Sequence, residues 1–310
     1  MALTSALNPN VVKTALDSVF DAEFSLSVQP GLATAQNPLV FIQDTADKSA
    51  VIVEQFQGVG YFGTRAETAD LAQSTPRVGN QKTFSVLNYA KEVDISKNFF
   101  DDDQHTVVQK MIKSFARNAR LSQDKNAFNQ YNLGFTTVLT NDGVALFSDS
   151  HITLNGDTVD NLEPASALSD TTLNNMFKSM LQQKTQDGTL GGHVPACLLV
   201  PPALFKLACE ITKSELRSGT ANNDLNYFSQ LYPGLQVLQS PFLSAAQGGS
   251  DTAYYLLSRD HSMYRWVRQG MTTDLVPYQY QRNNSYIYKC EYREVVGPIS
   301  FEGLVGSLGV

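Results

Sequence analysis

The stretch TFSVLNYAKEVDISK, residues 83–97, leads directly into NFFDDDQHTVVQKMIKSFARNARLSQDKNAFNQY, residues 98–131. In the first part polar and apolar side chains alternate, which is typical of a half-buried antiparallel strand. A change of phase at Val86–Leu87 predicts a β-bulge or a bend. In the second part apolar residues recur at helical spacing, and the aspartates at 101–103 predict the helix start. We expect a long strand followed by a spine helix, which would span about 40 Å if it is unbroken to Tyr131.

A glycine-rich stretch, IVEQFQGVGYFGTRAETADLAQ at 52–73, precedes that strand. Gly58, Gly60 and Gly63 follow a β-branched run with the G-x-G-x-x-G spacing of a dinucleotide-binding turn. The context does not fit, because such a turn belongs to a βαβ unit with an acidic residue about twenty positions further on. Here the possible helix at 64–73 is short, the next strand alternates, and a threonine stands where that acidic residue is expected. We predict a flexible glycine loop and keep a dinucleotide-binding oxidoreductase as a remote alternative.

The same region predicts a long hairpin with little core of its own. Residues 50–57 form a strand candidate that would return along 84–95. Two strands alone are marginally stable in water. The hairpin must therefore dock onto another surface, and no partner for it lies nearby in the sequence.

Periodicity predicts further elements along the chain. These are a short helix near 10–20, a tight turn at 141–143, a helix at 170–186, a buried strand at 194–202 followed by a helix, strands at 235–243 and 252–260, and long antiparallel strands after residue 264. The centre of the chain is therefore expected to be a layered α/β unit. The remainder of the first forty residues is predicted to be an extended arm that lies against something else.

Composition excludes several classes of protein. The 310 residues are 42% hydrophobic and 17% charged, which suits a globular chain with a substantial core. A net charge of −7, with no run of Lys or Arg, leaves no basic face for gripping phosphates. The three cysteines lack C-x-x-C spacing, and neither a secretion signal nor a membrane-spanning run is visible. We expect a soluble protein of a reducing compartment.

Candidate catalytic groups are sparse. Asp149 and His151 could belong to a metal or acid/base site, but His105, His193 and His261 show no ligand spacing. A turn or capping role for Asp149, with His151 an ordinary partly buried residue, is favoured. No G-x-S-x-G nucleophile elbow occurs. We therefore expect no enzyme, no cofactor and no metal site.

The order of these elements resembles the HK97-type (Hong Kong 97) fold of tailed-bacteriophage major capsid proteins. Within it, four stretches resemble the Mu-like major head subunit family. They are NYAKEVDISKNFFDDDQ at 88–104, TNDGVALFSDSHITL at 140–154, PACLLVPPALFKLACEI at 195–211 and YREVVGPISFEGLVGSLG at 292–309. The resemblance covers most of the chain from about residue 54 onward and is weakest in the first forty residues.

The resemblance implies an α+β fold divided into five parts. They are an N-terminal arm at 1–45, an E-loop hairpin at 46–100, the first part of the peripheral (P) domain with the spine helix at 101–154, an axial (A) domain at 155–270, and the C-terminal strands of the P domain at 271–310. In this family the E-loop and the arm lie across neighbouring subunits, and the A domains meet at fivefold and sixfold axes.

The implied function is self-assembly into pentamers and hexamers of an icosahedral head that encloses double-stranded DNA without sequence-specific binding. The implied location is the virion, with assembly in the host bacterial cytoplasm. The sequence has no room for an internal scaffolding segment, so a separate scaffolding protein, or none, is expected. Portal or decoration proteins would be further partners, and no membrane is involved.

Candidate contacts between subunits follow from the same resemblance. On the E-loop they are Gly58, Gly60, Gly63, Arg65, Glu67, Arg77 and Lys82, and at the axial loop 217–227 they are Asn222 and Asn223. The charged members are equally well explained as ordinary solvated residues. An encapsulin-like nanocompartment shell, which shares the fold but stores a cargo enzyme, is the alternative function.

Overall fold

A computed structural model describes residues 9–25, 29–68, 70–71, 73–102, 107–216, 225–277 and 284–310. The helices are α1 Pro9–Phe24, α2 Lys97–Asp102, α3 Val107–Asn132, α4 Asp170–Gln182, α5 Pro202–Lys213 and α6 Tyr227–Leu231. The strands are β1 Ile42–Thr45, β2 Ala50–Phe56, β3 Val78–Ser85, β4 Leu87–Ser96, β5 His151–Ile152, β6 Thr158–Val159, β7 Leu162–Glu163, β8 Pro195–Val200, β9 Gln236–Gln239, β10 Tyr254–Ser258, β11 Met263–Val276, β12 Ser285–Pro298 and β13 Leu304–Ser307.

The centre of the molecule is a five-stranded sheet in the order β7-β13-β10-β8-β9. Every residue of β8, β10 and β13 is buried. Successive residues of these strands face two different cores, because side chains alternate across a sheet. Leu198 and Leu256 pack with α4 and α5, whereas Cys197 and Leu257 pack with the end of α3. The predicted α/β unit is thus present, with helix 170–186 ending at Gln182.

A four-stranded sheet in the order β1-β11-β12-β4 forms the second layer. Helices α1 and α3 pack on it around Phe20, Ile112, Phe115 and Tyr288. The short helix predicted near 10–20 exists and is longer than expected. Its buried face, with Val12, Leu16 and Phe20, packs in the core that it shares with α3 and the four-stranded sheet.

The strand predicted over 83–97 is in fact two strands that belong to different sheets. β3 pairs with β2, whereas β4 pairs with β12. The change occurs at Val86, where the phase slip was seen, because the chain must turn there to follow a second partner. Consequently the hairpin partner of β2 is β3 at 78–85 rather than 84–95.

The spine helix also departs from expectation at its start. Asp101 and Asp102 lie at the end of the separate short helix α2 rather than at the start of α3, and Asp103 lies outside the described residues. α3 then runs to Asn132, one residue beyond the predicted Tyr131. A helix was considered possible at 64–73. The described residues of this stretch form a loop with a turn instead.

Candidate interaction surfaces

Several large apolar side chains are exposed along the β2–β3 hairpin and its loop. Phe62 is 97% exposed and Tyr61 is 74% exposed. Other exposed apolar side chains of this segment are Ile52, Phe56, Val59, Leu71 and Val78. A segment that exposes this many large apolar side chains is a candidate interaction site. We call residues 50–85 the hairpin from here on.

The base of the hairpin is fixed to its own subunit. Phe84 is buried against Trp266, with ring centroids 4.8 Å apart. Lys82 donates hydrogen bonds through Nζ to the carbonyl oxygens of Leu139 and Pro298, the latter at 3.0 Å. Burial lowers the pKa of Lys82 to about 8, although nearby Asp142 opposes that shift. Lys82, predicted as an intersubunit contact, thus makes its visible contacts within the chain.

The glycine loop is also seated on its own subunit. The Gly60 amide donates to Asp187 Oδ2 at 3.1 Å, and a Cβ at Gly58 would lie 2.6 Å from the same oxygen. Gly60 has φ +73°, which favours glycine, whereas Gly63 has neither a positive φ nor an atom within 4 Å of a built Cβ. Two of the three glycines are therefore required by local geometry. β2 enters an antiparallel hairpin rather than a βαβ unit, so the dinucleotide-binding reading is wrong.

The charged candidates of the hairpin, Arg65, Glu67 and Arg77, are all exposed. Asn222 and Asn223 lie outside the described residues. The residues that flank them, Leu216 and Leu225, form an isolated antiparallel bridge and are 45% and 73% exposed. Nearby Tyr227 and Leu231 of α6 are exposed as well. The sequence singled out loop 217–227 for its Asn and Gly residues, but it did not identify these exposed apolar side chains beside the loop.

Histidine 151 is more deeply placed than the sequence suggested. It is fully buried, its Nδ1 lies 2.7 Å from Asp142 Oδ2, and its ring stacks on Phe301. Burial alone would raise the pKa of Asp142, but hydrogen bonds from His151 and Thr140 lower it. The partner of His151 is thus Asp142, not Asp149. This pair fixes the 141–143 turn, which was predicted, to the body of the subunit.

A buried ionic cluster lies in the four-stranded sheet, close to α3. Arg265 donates from Nε to Glu294 Oε2 at 2.9 Å and from Nη1 to Gln43 Oε1 at 3.0 Å. Asp124 of α3 accepts a hydrogen bond from the Ala35 amide at 2.7 Å. Burial raises the pKa of Asp124 to about 6 and raises the pKa of Glu294, although Arg265 opposes the latter shift. Nothing in the sequence indicated this cluster, because its charged residues lie far apart along the chain.

Catalytic chemistry finds little support in the part of the chain that the structure describes. Within it, no three His, Cys, Asp or Glu side chains converge closely enough to hold a metal ion. Cys197 and Cys290 are buried, and burial raises the pKa of both thiols above the usual range. Among the described helices, none is both long and apolar enough to cross a membrane.

Comparison with known proteins gives a consistent assignment. A family model described as "Phage capsid protein" matches residues 80–306. No curated protein matches the sequence. The structure of this chain is similar to the capsid of Myoviridae phage XM1. The two share 12% identity, the match covers 93% of this chain and 95% of that chain, and the TM-score is 0.53.

Two further solved structures share the fold. The capsid of cyanophage P-SCSP1u is 9% identical, covers 92% of this chain and 90% of its own, and gives a TM-score of 0.60. A virus-like particle from Pyrococcus furiosus is 8% identical, covers 95% of this chain and 98% of its own, and gives a TM-score of 0.55. At these identities the likeness concerns the fold, which is the HK97-type capsid fold.

Proposed function

Because this chain belongs to the phage capsid protein family and is a major capsid protein of the virion, we propose that its hairpin closes the shell by lying across a neighbouring subunit. The observation that carries this proposal is the number of large apolar side chains exposed on the hairpin, among them Phe62 of its loop, which is 97% exposed. A second copy of the chain is the partner, since shell subunits surround one another. Arg65, Glu67 and Arg77, exposed on the same segment, would set the register of that contact.

The division into parts is proposed on the same basis. Residues 46–100 would act as the E-loop, although β4 pairs with the C-terminal strand β12. Residues 101–154 and 271–310 would form the P domain, and 155–270 the A domain. The exposed apolar end near Leu216 and Leu225, with Asn222 and Asn223 between them in sequence, would face the fivefold and sixfold axes. The arm at 1–45 would contribute contacts through the residues beyond α1.

The remaining parts of the proposal concern partners. Pentamers and hexamers of one chain would close an icosahedron around double-stranded DNA, and the net charge of −7 suits a wall that does not grip phosphates. Assembly would occur in the host bacterial cytoplasm without a catalysed reaction or a cofactor. A separate scaffolding, portal or decoration protein would be an additional partner. The narrower likeness to Mu-like head subunits stays a prediction.

Electron microscopy of the purified full-length protein tests this proposal. We expect closed shells or rings of capsomer size, in which the hairpin of one subunit covers its neighbour. A protein that elutes only as a monomer of 34.1 kDa at assembly concentrations would contradict it.

A nanocompartment shell is the second candidate, because the fold is shared with a virus-like particle from Pyrococcus furiosus. Particles from infected cells distinguish the two. DNA protected from nuclease inside the particles supports the virion, whereas a co-purifying enzyme without DNA supports the compartment.

A further inference from the structure

We propose that Asp187 is a positioning residue that seats the glycine loop of the hairpin on a turn of the same subunit. The turn is the stretch TQDGT, residues 185–189, which we call the Asp187 turn. It lies more than a hundred positions from the glycine loop in sequence. The consequence for shells rests on the proposed function, but the seat itself is a property of one chain.

The Asp187 turn is organised before it meets the hairpin. The hydroxyl groups of Thr185 and Thr189 donate to Asp187 Oδ1 at 2.5 and 2.6 Å, and the Thr189 amide donates to the same oxygen at 3.0 Å. Gly188, with φ +80°, allows the chain to reverse. These hydrogen bonds, first those from Thr185 and Thr189, hold the pKa of Asp187 well below its usual range. One carboxylate oxygen is thus occupied by the turn, and the other faces the hairpin.

The turn is also tied to the body of the subunit. Gln186 is buried and donates through Nε2 to Glu302 Oε1 at 3.1 Å. Its side-chain oxygen accepts from the Leu154 amide at 3.3 Å, and its carbonyl accepts from the Asn155 amide at 3.2 Å. The Asp187 carboxylate is therefore presented from a fixed platform.

The hairpin contacts this platform through one backbone group and one side-chain hydroxyl. Asp187 Oδ2 accepts the Gly60 amide at 3.1 Å, and the Leu190 amide donates to the Tyr61 hydroxyl at 3.0 Å. Gly58 leaves space for the carboxylate that any side chain would fill. A hydrogen bond to a charged acceptor is stronger than one to a neutral acceptor. The first two glycines of the motif are thus explained by the approach of a protein carboxylate.

The hairpin is consequently held at two places on its own subunit. Its base is fixed by Phe84 and Lys82, and its glycine loop is held by Asp187. A cleft of about 390 Å³ lies between the hairpin and the body of the subunit. Seating sets the direction in which Phe62 points, so it would set the angle at which the hairpin meets a neighbour.

A designed disulfide tests the seat directly. The Cβ built at Gly58 lies 3.7 Å from Asp187 Cβ, which is within the range of about 3.5–4.5 Å found in disulfides. Gly58→Cys with Asp187→Cys is oxidised with glutathione disulfide, in a Cys209→Ser background that removes the only native cysteine not buried in the described residues. We expect an intramolecular cross-link, seen as a single chain with altered mobility on a non-reducing denaturing gel. Gly63→Cys with Asp187→Cys is the matched control and should not cross-link.

Two results would overturn the inference. The first is a ladder of cross-linked chains, which would show that the glycine loop occupies the turn of a neighbour. Asp187→Asn provides a second measurement. The donors of the turn would keep the one remaining side-chain oxygen, so the NH2 group, which cannot accept a hydrogen bond, would face the Gly60 N–H. We expect about tenfold faster hydrogen exchange at Gly60, and an unchanged rate would count against the seat.

Failure of the seat and failure of the proposed function are separable. Closed shells of the unaltered chain, with exchange at Gly60 unchanged by Asp187→Asn, would remove the seat and leave the function standing. An unaltered chain that never forms shells, while Asp187→Asn still speeds exchange at Gly60, would do the reverse.

Discussion

The central five-stranded sheet and the hairpin are both built from β-strands, yet they treat apolar residues in opposite ways. Every residue of β8 and β10 is buried within the chain. In β2 and β3, Ile52, Phe56 and Val78 are more than half exposed. The sheet therefore draws its stability from its own subunit, whereas the hairpin leaves large apolar side chains exposed. Under the proposed function, the sheet stabilises the subunit and the hairpin contacts a second copy.

The largest expected effect compares one aliphatic side chain from each region. Leu256→Ala in β10 removes a fully buried side chain and should lower the free energy of unfolding by about 3 kcal/mol, through lost burial and a cavity. Ile52→Ala in β2, 58% exposed, should cost less than about 0.5 kcal/mol. Urea unfolding of subunits dissociated from shells measures both. Equal costs would remove the distinction between the two regions.

A pH titration distinguishes the body of the subunit from the hairpin. The ionisation of Asp124 in α3 should change the free energy of unfolding, whereas that of Asp187 should not. Asp124 has a folded-state pKa of about 6, above its usual 3.8, so its contribution favours the fold below about pH 4 and is lost as pH rises through 6. Asp124→Asn should therefore gain stability relative to the unaltered chain between pH 4 and 6, by on the order of 2–3 kcal/mol. Its Oδ1 can still accept the Ala35 amide.

The measurement is the difference in urea midpoint between the two proteins across that range. His261, whose pKa burial lowers to about 4, acts in the opposite direction but is common to both proteins and cancels. Asp187, whose pKa is lowered by its threonine hydrogen bonds, stays ionised throughout, so the seat of the hairpin should not respond. A constant difference between pH 4 and 6 would refute the assignment to Asp124.

A smaller and more local effect is expected at the base of the hairpin. Lys82→Met removes the donor that holds the carbonyl oxygens of Leu139 and Pro298. We expect opening of the hairpin to become easier by about 1–2 kcal/mol, since both acceptors lose a partner. Hydrogen exchange should accelerate in β2 and β3 and stay unchanged in β8. Lys48→Met, at an exposed position beside the hairpin, is the control and should leave these rates unaltered.

The smallest effect on chain stability is expected at Phe62, in the loop of the hairpin. Phe62→Ser changes a side chain that is 97% exposed, so the unfolding free energy of the dissociated subunit should move by less than about 0.5 kcal/mol. Assembly should nevertheless suffer, because the neighbour loses an aromatic contact. Sedimentation of assembly reactions would then show fewer shells, with Phe62→Tyr close to the unaltered chain. A normal yield of shells from Phe62→Ser would mean that Phe62 makes no contact with a neighbour on which assembly depends.

The sequence predicted those elements whose pattern is local. The helix at 170–186 was found because its buried face repeats at helical spacing, and the strand at 194–202 because a fully buried strand is a short continuous apolar run. The turn at 141–143 was found because Gly143 needs φ +81°. The family was found because the order of such elements is shared among capsid proteins.

Long-range partners were beyond such reasoning. Alternation at 83–97 could not show that β3 and β4 choose different neighbours, since each strand has the same period with either partner. The seat for Gly58 and Gly60 depends on Asp187, which carries no local signal. The Arg265–Glu294 pair is likewise defined by the fold that brings β11 beside β12.

Hydrogen exchange measured on dissociated subunits and on assembled shells tests the central claim most directly. The account predicts that amides of the hairpin, residues 50–85, exchange much more slowly in shells, because a neighbour covers them. Amides of β8 and β10 should exchange at the same rate in both states, since their protection is internal. Identical exchange of the hairpin in both states would contradict the claim that it joins one subunit to the next.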